Sequence, residues 1–292
     1  MEQILYRIKI MINISSNNKK QIKIREIRVK SIITRSNLPD TDYVINPYTG
    51  CIHSCLYCYA RFMKRFTGHT ESWGKFIDVK INAPDLIDTR TLKYRGRSVF
   101  LSSVTDPYNP LEKKYQLTRK ILEKLISLQP DLGIQTKSDL VLRDIDLLRQ
   151  FKNCEVGLTI TTLDDNLRKE IEPFTSPVKN RIKALEKLKE AGINTYVFIG
   201  PILPFFTEWK EIVCGTKNFA DSYMFENLNI TGAVWGCVRN WLAERHRNLL
   251  GEYERIYFTK SGYWDKVEEE LKLFCKEQKV DFRIYFHHRK QS

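Results

Sequence analysis

Short apolar runs alternate along the chain with longer segments in which apolar residues recur at helical spacing. The runs that predict buried strands lie at 42–46, 97–103, 132–136, 154–160, 193–200 and 222–230. Leucine and isoleucine repeat every three or four residues in segments that predict helices at 111–128, 140–151, 178–192 and 207–219. Because strands that alternate with helices form βαβ units, the pattern predicts a mostly parallel sheet.

Six such units define an α/β fold class and fit a partial (β/α)6 barrel at 41–231; a doubly wound open sheet is the alternative. In both arrangements the polar loops after the strands lie on the face where chemistry is usually built. Residues 1–40 are predicted to form a basic N-terminal arm, which either contains a strand or is a flexible lead-in. Residues 232–292 carry two helical patterns and a closing strand, which we interpret as a C-terminal α/β extension packed on the barrel.

Charge and hydropathy narrow the class of protein. The 292 residues carry a net charge of +13, which suits a polyanionic partner such as nucleic acid, although a basic surface without such a partner is the alternative. No apolar run approaches the ~18 residues of a membrane span. The first twenty residues lack the basic and apolar regions of a signal peptide, so we predict a cytoplasmic protein that does not enter a membrane.

Three of the seven cysteines, Cys51, Cys55 and Cys58, form a C-x3-C-x2-C loop. An odd number of cysteines in a reducing compartment argues against a disulfide framework. Zinc usually takes four protein ligands, often as paired C-x2-C motifs, and no second pair is present; we interpret His53 as a loop residue rather than a fourth ligand. Thiolates also hold iron–sulfur clusters, and three of them leave one iron open.

The loop, its place after the first strand of the barrel and the aromatic Tyr57 before the last cysteine resemble the radical S-adenosylmethionine (SAM) superfamily. Within it, the chain resembles the spore photoproduct lyase-like or "DNA repair photolyase" group through "NPYTGCIHSCLYCYAR", "SSVTDPYNPLE", "TKSDLVLRDIDLL", "LTITTLDD" and "IEPFTSPVKNRIKAL". These stretches lie within Ile45–Pro204. The resemblance implies that the three cysteines bind a [4Fe-4S] cluster whose open iron chelates SAM.

The resemblance also implies roles for individual residues. It places Tyr57 and Tyr59 at the reactive centre, where they take part in radical transfer; packing against the adenine or the barrel mouth is the alternative. Thr105 corresponds to a hydrogen-bond donor to the methionine part of SAM, Lys137 to the partner of the SAM carboxylate, and Thr159 to a further SAM contact. A solvated lysine and an ordinary strand threonine are the alternatives for the last two.

Four further polar residues accompany these motifs. Asp106 either belongs to the SAM loop or caps the helix that follows. We interpret Glu172 as half of a structural ion pair rather than as a substrate contact. Glu226 and Asn229 end the sixth strand and are placed to meet SAM or substrate.

One position departs from the lyase pattern. A cysteine of spore photoproduct lyase supplies a hydrogen atom late in repair, and Ser103 corresponds to it here. A serine O–H is a much poorer hydrogen-atom donor than a thiol, and Cys154, at the start of the fourth strand, is not expected to replace it. Repair of spore photoproduct by the standard route is therefore not expected.

Three functional hypotheses follow from these residues. The first is a radical SAM enzyme that cleaves SAM to a 5′-deoxyadenosyl radical and abstracts hydrogen from nucleic acid, with flavodoxin or ferredoxin as electron donor. The second is the same chemistry on a peptide or small metabolite. The third is a non-catalytic, zinc-stabilised nucleic-acid-binding protein. "RNWLAERHR" and "FHHRK" near the C-terminus suit phosphate binding, although a solvated helix face is the alternative.

Overall fold

The computed structural model describes residues 22–287. Within them the strands are β1 (Lys23–Ile27), β2 (Ile33–Arg35), β3 (Tyr43–Ile45), β4 (Tyr48–Thr49), β5 (Phe76–Lys80), β6 (Ser98–Leu101), β7 (Asp131–Thr136), β8 (Cys154–Thr159), β9 (Asn194–Ile202), β10 (Ser222–Asn227) and β11 (Asp281–Tyr285). The helices are α1 (Glu112–Tyr115), α2 (Leu117–Ile126), α3 (Ile145–Leu148), α4 (Asp165–Ile171), α5 (Val178–Glu190), α6 (Trp209–Thr216), α7 (Val234–Arg245), α8 (Arg247–Phe258) and α9 (Tyr263–Gln278).

The main sheet has eight strands in the order β11-β10-β9-β8-β7-β6-β3-β2. All neighbours pair in parallel except β2, which runs antiparallel to β3 at one edge. From β3 to β11 each successive strand of this sheet is added on the same side of the previous one, whereas a doubly wound sheet reverses its strand order. The prediction of an α/β partial barrel is therefore confirmed, and all six strands predicted for it are present.

The predicted arm and extension both contribute strands. Within the described part of the arm, β2 joins the main sheet, and β1 pairs with β5 in a smaller sheet of order β1-β5-β4. Residues 1–21 of the arm lie outside the described residues. The predicted closing strand, β11, pairs in parallel with β10. The boundaries at 40 and 231 stay a prediction.

Two predicted helices differ in detail. The segment at 140–151 begins as a 3-10 helix, Asp139–Asp144, and only its end is the short α3. The hydroxyl of Ser138 accepts the Leu140 amide and starts this tight turn. The helical pattern after residue 232 divides at His246 into α7 and α8 because that residue leaves the helical conformation, with φ −138° and ψ 46°.

The core lies between the main sheet and the helices packed on it. α2 buries Ile121, Leu122 and Leu125, which join the apolar side chains of the strands in one cluster. Gly157 in β8 makes room for the ring of Tyr196, since a Cβ at position 157 would lie 2.1 Å from Cζ of that ring. In the described part of the chain, no helix has the length and apolar content required to cross a bilayer.

Candidate active site

The C-x3-C-x2-C loop connects β4 to a 3-10 helix, Tyr59–Phe66. Gly50 allows the entry into this loop, because its φ of +88° suits glycine and a Cβ there would lie 2.6 Å from the carbonyl oxygen of Phe76. Cys51 and Cys55 are buried, Cys58 is partly buried, and all three are free thiols. Burial raises the pKa of Cys55 and of Cys58, and the nearby Cys51 thiol adds to both shifts.

The loop is held in place by backbone hydrogen bonds and by one guanidinium. Arg61 Nη2 donates to the carbonyl oxygens of Cys55 and Leu56 at 3.0 and 2.8 Å. The amide of Leu56 donates to the carbonyl oxygen of Ile171 at 2.8 Å, which ties the loop to the end of α4. These bonds anchor the backbone of the loop at Cys55 and Leu56.

The loop after β6 packs against the cysteine loop. Asp106 accepts hydrogen bonds from the hydroxyl of Thr136 at 2.7 Å and from the amides of Tyr108 and Lys137 at 2.8 Å each, and it lies 3.3 Å from Nδ1 of His53. Burial would raise the pKa of Asp106, but His53 and these donors hold it at about 2. Asp106 therefore joins the β6 loop to the end of β7 and does not cap α1.

Thr105 contacts the cysteine loop directly. Its hydroxyl donates to the carbonyl oxygen of Gly50 at 2.7 Å, so its hydrogen is already engaged. In this arrangement Thr105 has an acceptor oxygen left, rather than the free donor that the sequence predicts. Its contact with SAM stays a prediction.

Lys137 follows β7 and brings a cation to the cysteine loop. Within residues 22–287 its Nζ forms no hydrogen bond or ion pair, and it lies 5.7 Å from the centre of the Tyr57 ring. Burial lowers the pKa of Lys137, but Cys55 and the carboxylates of Glu172 and Asp106 outweigh burial and raise it. The ammonium group is therefore charged and available to an anionic ligand such as a carboxylate.

Tyr57 points into a buried polar network. Its hydroxyl donates to Glu172 Oε1 and lies 3.2 Å from Thr161 Oγ1. Glu172 Oε2 lies 2.6 Å from Nη2 of Arg181, and both of these side chains are only 1% exposed. The expected structural ion pair of Glu172 is present, and the same carboxylate also holds a predicted reactive-centre tyrosine.

Among the described residues, the buried polar groups that have no hydrogen-bond partner include two that suit a cofactor site. One is the hydroxyl of Thr159 at the end of β8, and the other is the indole N–H of Trp73. Trp73 packs in the apolar cluster of Cys51 that Cys58 also contacts. Because unpaired buried donors and acceptors are costly, both groups fit a site that a ligand completes.

Tyr59 takes a different direction from Tyr57. Its ring is 49% exposed, and its hydroxyl donates to the carbonyl oxygen of Ser103. The Ser103 hydroxyl accepts from Asn46 Nδ2 at 3.4 Å. Tyr59 and Ser103 therefore lie together at the edge of the cysteine loop, whereas Cys154 lies at the opposite, amino-terminal end of β8.

The candidates that follow the sixth predicted strand have local partners. Glu226 lies 2.9 Å from Nε2 of His287, just after β11, and Asn229 accepts the amide of Thr231 at 3.0 Å within a turn. The structure gives both residues a role in joining the end of β10 to its surroundings. Their contact with SAM or substrate stays a prediction, and His288 lies outside the described residues.

The donor set fits a [4Fe-4S] cluster with bound SAM. Three thiols lie on one preformed loop, the unpaired cation of Lys137 adjoins them, and the free hydroxyl of Thr159 ends a neighbouring strand. Among residues 22–287, no three His, Cys, Asp or Glu side chains are grouped to hold a single metal ion. A cluster does not need such a group, because its cysteine ligands bind different iron atoms.

Sequence reasoning missed Arg61, Trp73 and Arg181. Arg181 lies in α5, where a basic residue is normally solvated, yet its Nη1 donates to the Thr159 carbonyl oxygen at 3.0 Å. The only indication in the sequence that Arg181 belongs to the site was its position in the "SPVKNRIKAL" stretch. The sequence did not indicate a role for Trp73, because only the folded course of residues 59–76 brings this side chain to the cysteines.

A partial α/β barrel with three free cysteines on one loop, a half-buried lysine and an unpaired hydroxyl at the carboxyl end of a strand is typical of a cofactor-dependent enzyme. The chain belongs to the radical SAM superfamily, whose sequence profile matches residues 45–213. The superfamily implies a [4Fe-4S] cluster and SAM as cofactors.

The chain is also similar to individual proteins. An uncharacterized protein of Methanocaldococcus jannaschii is 46% identical over 256 residues, which are 88% of this chain and 95% of that protein. A radical SAM Nalpha-GlyT isomerase of Pseudomonas phage M6 is 24% identical over 188 residues, 64% of this chain and 36% of that protein. A structure of spore photoproduct lyase complexed with dinucleoside spore photoproduct superposes with a TM-score of 0.64 and 16% identity, covering 90% of this chain and 82% of that one.

These comparisons confirm the radical SAM assignment and the fold shared with spore photoproduct lyase. They decide in favour of an enzyme and against the hypothesis of a non-catalytic zinc protein. At 16% identity the structural likeness establishes the fold alone.

Proposed function

We propose that this radical SAM enzyme acts on nucleic acid, as a cytoplasmic DNA repair photolyase-like lyase that receives electrons from a flavodoxin or ferredoxin. The observation that carries the choice of substrate is the net charge of +13, because basic side chains gain affinity for nucleic acid by releasing counterions from its phosphates. The fold shared with spore photoproduct lyase, one structure of which contains a dinucleoside spore photoproduct, supports the same choice.

Cys51, Cys55 and Cys58 hold the cluster in this proposal. When bound, the cluster and SAM supply the electron and the radical that removes a hydrogen atom from the substrate. Lys137 pairs with the SAM carboxylate, and the free hydroxyl of Thr159 completes a hydrogen bond with SAM.

The protein then contributes orientation and exclusion of water. Tyr57 lies between the unpaired ammonium of Lys137 and the buried carboxylate of Glu172, so its ring is fixed in one position. Arg181 neutralises that carboxylate and also holds the backbone of Thr159. A substitution in this network would therefore misplace SAM without removing a direct contact to it.

Ser103 sets this enzyme apart from spore photoproduct lyase. With a serine at the donor position, the final hydrogen atom has to come from another group, and Tyr59 is a candidate because its hydroxyl contacts the Ser103 carbonyl. The same departure favours the second candidate function, radical SAM chemistry on a peptide or small metabolite, which needs no repair-type donor.

The test is anaerobic turnover. Reconstituted enzyme is mixed with SAM and dithionite, and 5′-deoxyadenosine is quantified without substrate, with oligonucleotides, and with peptides. Cys58→Ala removes a cluster ligand, and Cys214→Ala is the matched control because Cys214 is exposed on α6. Stimulation by an oligonucleotide that Cys58→Ala abolishes and Cys214→Ala retains supports the proposal. Stimulation only by peptides supports the second candidate and contradicts nucleic acid as the substrate.

A further inference from the structure

A cavity of about 580 Å³ adjoins the cysteine loop. One wall is the 3-10 helix Tyr59–Phe66, and the other is the turn at 231–234, which leads into α7. The volume lies within the range of about 300–1,000 Å³ that is typical of ligand sites. Because Tyr59 lines the cavity and also contacts Ser103, the cavity opens beside the reactive centre.

The two walls differ in chemistry. The helix contributes aromatic and cationic side chains, which are Tyr59, Arg61, Phe62, Lys64 and Arg65. The opposite wall contributes small or apolar, uncharged residues, and none of the described residues that line the cavity is a carboxylate. His69, at the end of the first wall, is occupied by Glu71 and Asp78 and adds no free cation.

The three cations of this wall are not neutralised by acidic side chains. Within residues 22–287, neither Arg61, Lys64 nor Arg65 forms an ion pair. Arg61 and Lys64 donate to backbone carbonyl oxygens, and the guanidinium of Arg65 lies 5.6 Å from the centre of the Phe62 ring and 4.7 Å from that of Phe66. The wall therefore carries about three uncompensated positive charges.

The aromatic rings on this wall are open to a partner. Phe62, which lines the cavity, is 44% exposed, and Phe66, at the end of the same helix but outside the cavity lining, is 67% exposed. The two rings lie close together, since the Arg65 guanidinium contacts both. Exposed rings interleaved with unpaired cations are the combination with which proteins bind single-stranded nucleic acid, since bases stack on the rings and phosphates meet the cations. An acidic peptide would satisfy the cations but would leave the ring faces without a planar partner.

We propose that the cavity between the Tyr59–Phe66 helix and the 231–234 turn binds an unpaired stretch of the nucleic-acid substrate, with a base on Phe62 and phosphates on Lys64 and Arg65. This inference rests on the proposed function and adds to it the site and the strandedness of the substrate. Bases must be unstacked to lie on the rings, so a continuous duplex is excluded from the cavity.

The test measures binding separately from catalysis. Fluorescence anisotropy with labelled homopolymer DNA and RNA strands, and with a matched DNA duplex, is recorded on anaerobic, cluster-loaded enzyme with SAM and without reductant. Phe62→Leu should weaken single-strand binding roughly 5- to 100-fold through lost stacking, with little change in salt dependence. Arg65→Gln should reduce the slope of log affinity against log salt by about 0.7, the value for one phosphate contact on a single strand.

Matched variants keep the test specific. Phe258→Leu changes an exposed ring on α8, and Lys124→Gln changes an exposed lysine on α2; both should bind like the parent enzyme. Iron content and far-UV circular dichroism establish that each variant is folded and loaded. Equal binding by Phe62→Leu, by Arg65→Gln and by the parent would overturn the inference, as would equal binding of duplex and single strand, or competition by polyglutamate as strong as by a single strand.

The outcomes separate this inference from the proposed function. If Phe62→Leu and Arg65→Gln lose single-strand binding but no oligonucleotide stimulates turnover, the cavity is a binding site and the proposed substrate is wrong. If oligonucleotides stimulate turnover while both variants bind normally, the proposed function stands and the cavity is not the substrate site.

Discussion

Replacing Glu172 by glutamine tests whether the buried network beneath Tyr57 stabilises the site. The change preserves shape and removes one negative charge. The amide oxygen can still accept from Arg181, and the new NH2 group can donate to the hydroxyls of Tyr57 and Thr161, which are able to accept. What is lost is the charge that compensates a buried guanidinium.

The expected magnitude follows from burial. Removing one partner of a buried ion pair costs about 3–5 kcal/mol. Because glutamine retains hydrogen bonds worth about 1 kcal/mol, we expect Glu172→Gln to lower the free energy of unfolding by about 2–4 kcal/mol. For a chain of 292 residues that corresponds to a fall in melting temperature of roughly 3–7 °C.

The assay is chemical denaturation of the anaerobically purified enzyme, with Glu190→Gln as control. Glu190 is an exposed carboxylate on the same helix as Arg181, and its replacement should change the free energy of unfolding by less than about 0.5 kcal/mol. Arg181→Met combined with Glu172→Leu removes both charges, so the double variant should be more stable than the sum of the single losses predicts. Equal stabilities of Glu172→Gln and Glu190→Gln would refute the reasoning.

The difference in unfolding free energy between the parent enzyme and Glu172→Gln should depend on pH in a defined way. Burial alone would raise the pKa of Glu172, but Arg181, Lys137 and the Tyr57 hydroxyl lower it below its usual value. The contribution of this carboxylate to stability is therefore complete above the pKa of an unfolded glutamate, about 4.3, and is lost as the pH falls through the lower pKa of the folded state. The difference in unfolding free energy between parent and Glu172→Gln should shrink over that acid range.

Three further variants test the cofactor contacts. Lys137→Met should raise the SAM dissociation constant roughly 10- to 100-fold in anaerobic equilibrium dialysis while iron content stays constant; an unchanged constant would remove Lys137 from the SAM site. Thr159→Val removes an unpaired buried hydroxyl, so the free energy of unfolding of the SAM-free enzyme should stay the same or rise by up to about 2 kcal/mol. The same change should weaken SAM binding, and unchanged SAM affinity would contradict the predicted contact. Trp73→Phe should make the reduction potential of the cluster more negative, because it removes an N–H that can donate to the Cys58 sulfur. The potential is measured by redox titration with electron paramagnetic resonance, and an unchanged potential would show that no such bond forms.

The sequence was sufficient for the elements that depend on local pattern. All six strands of the barrel and the parallel sheet follow from the alternation of apolar runs and helical repeats. The helix at 140–151 was misjudged because 3-10 and α-helical segments share a similar apolar spacing, and only the backbone shows the tighter turn. The division at His246 depends on how α7 and α8 pack, which no local pattern records.

The candidate site likewise contains residues that the sequence predicted and residues that it did not. The cysteines were predictable because their spacing within one loop is itself the signal. The partners of Glu172 and Thr105 were not, since Arg181 lies on a helix surface pattern and Gly50 offers only a backbone oxygen. The unpaired indole of Trp73 depends on the three-dimensional course of the chain after Cys58 and has no counterpart in the sequence.

The hydrogen bond from the Leu56 amide to Ile171 has a consequence for biosynthesis. Tyr57 and its partner Glu172, the neighbours of this pair, are 115 positions apart in the chain. At about 5–20 residues per second, a ribosome needs roughly 6–23 seconds to make that intervening stretch. The nascent cysteine loop therefore lacks its final anchor throughout this interval, and insertion of iron and sulfide is expected to follow synthesis of α4 rather than to accompany emergence of the cysteines.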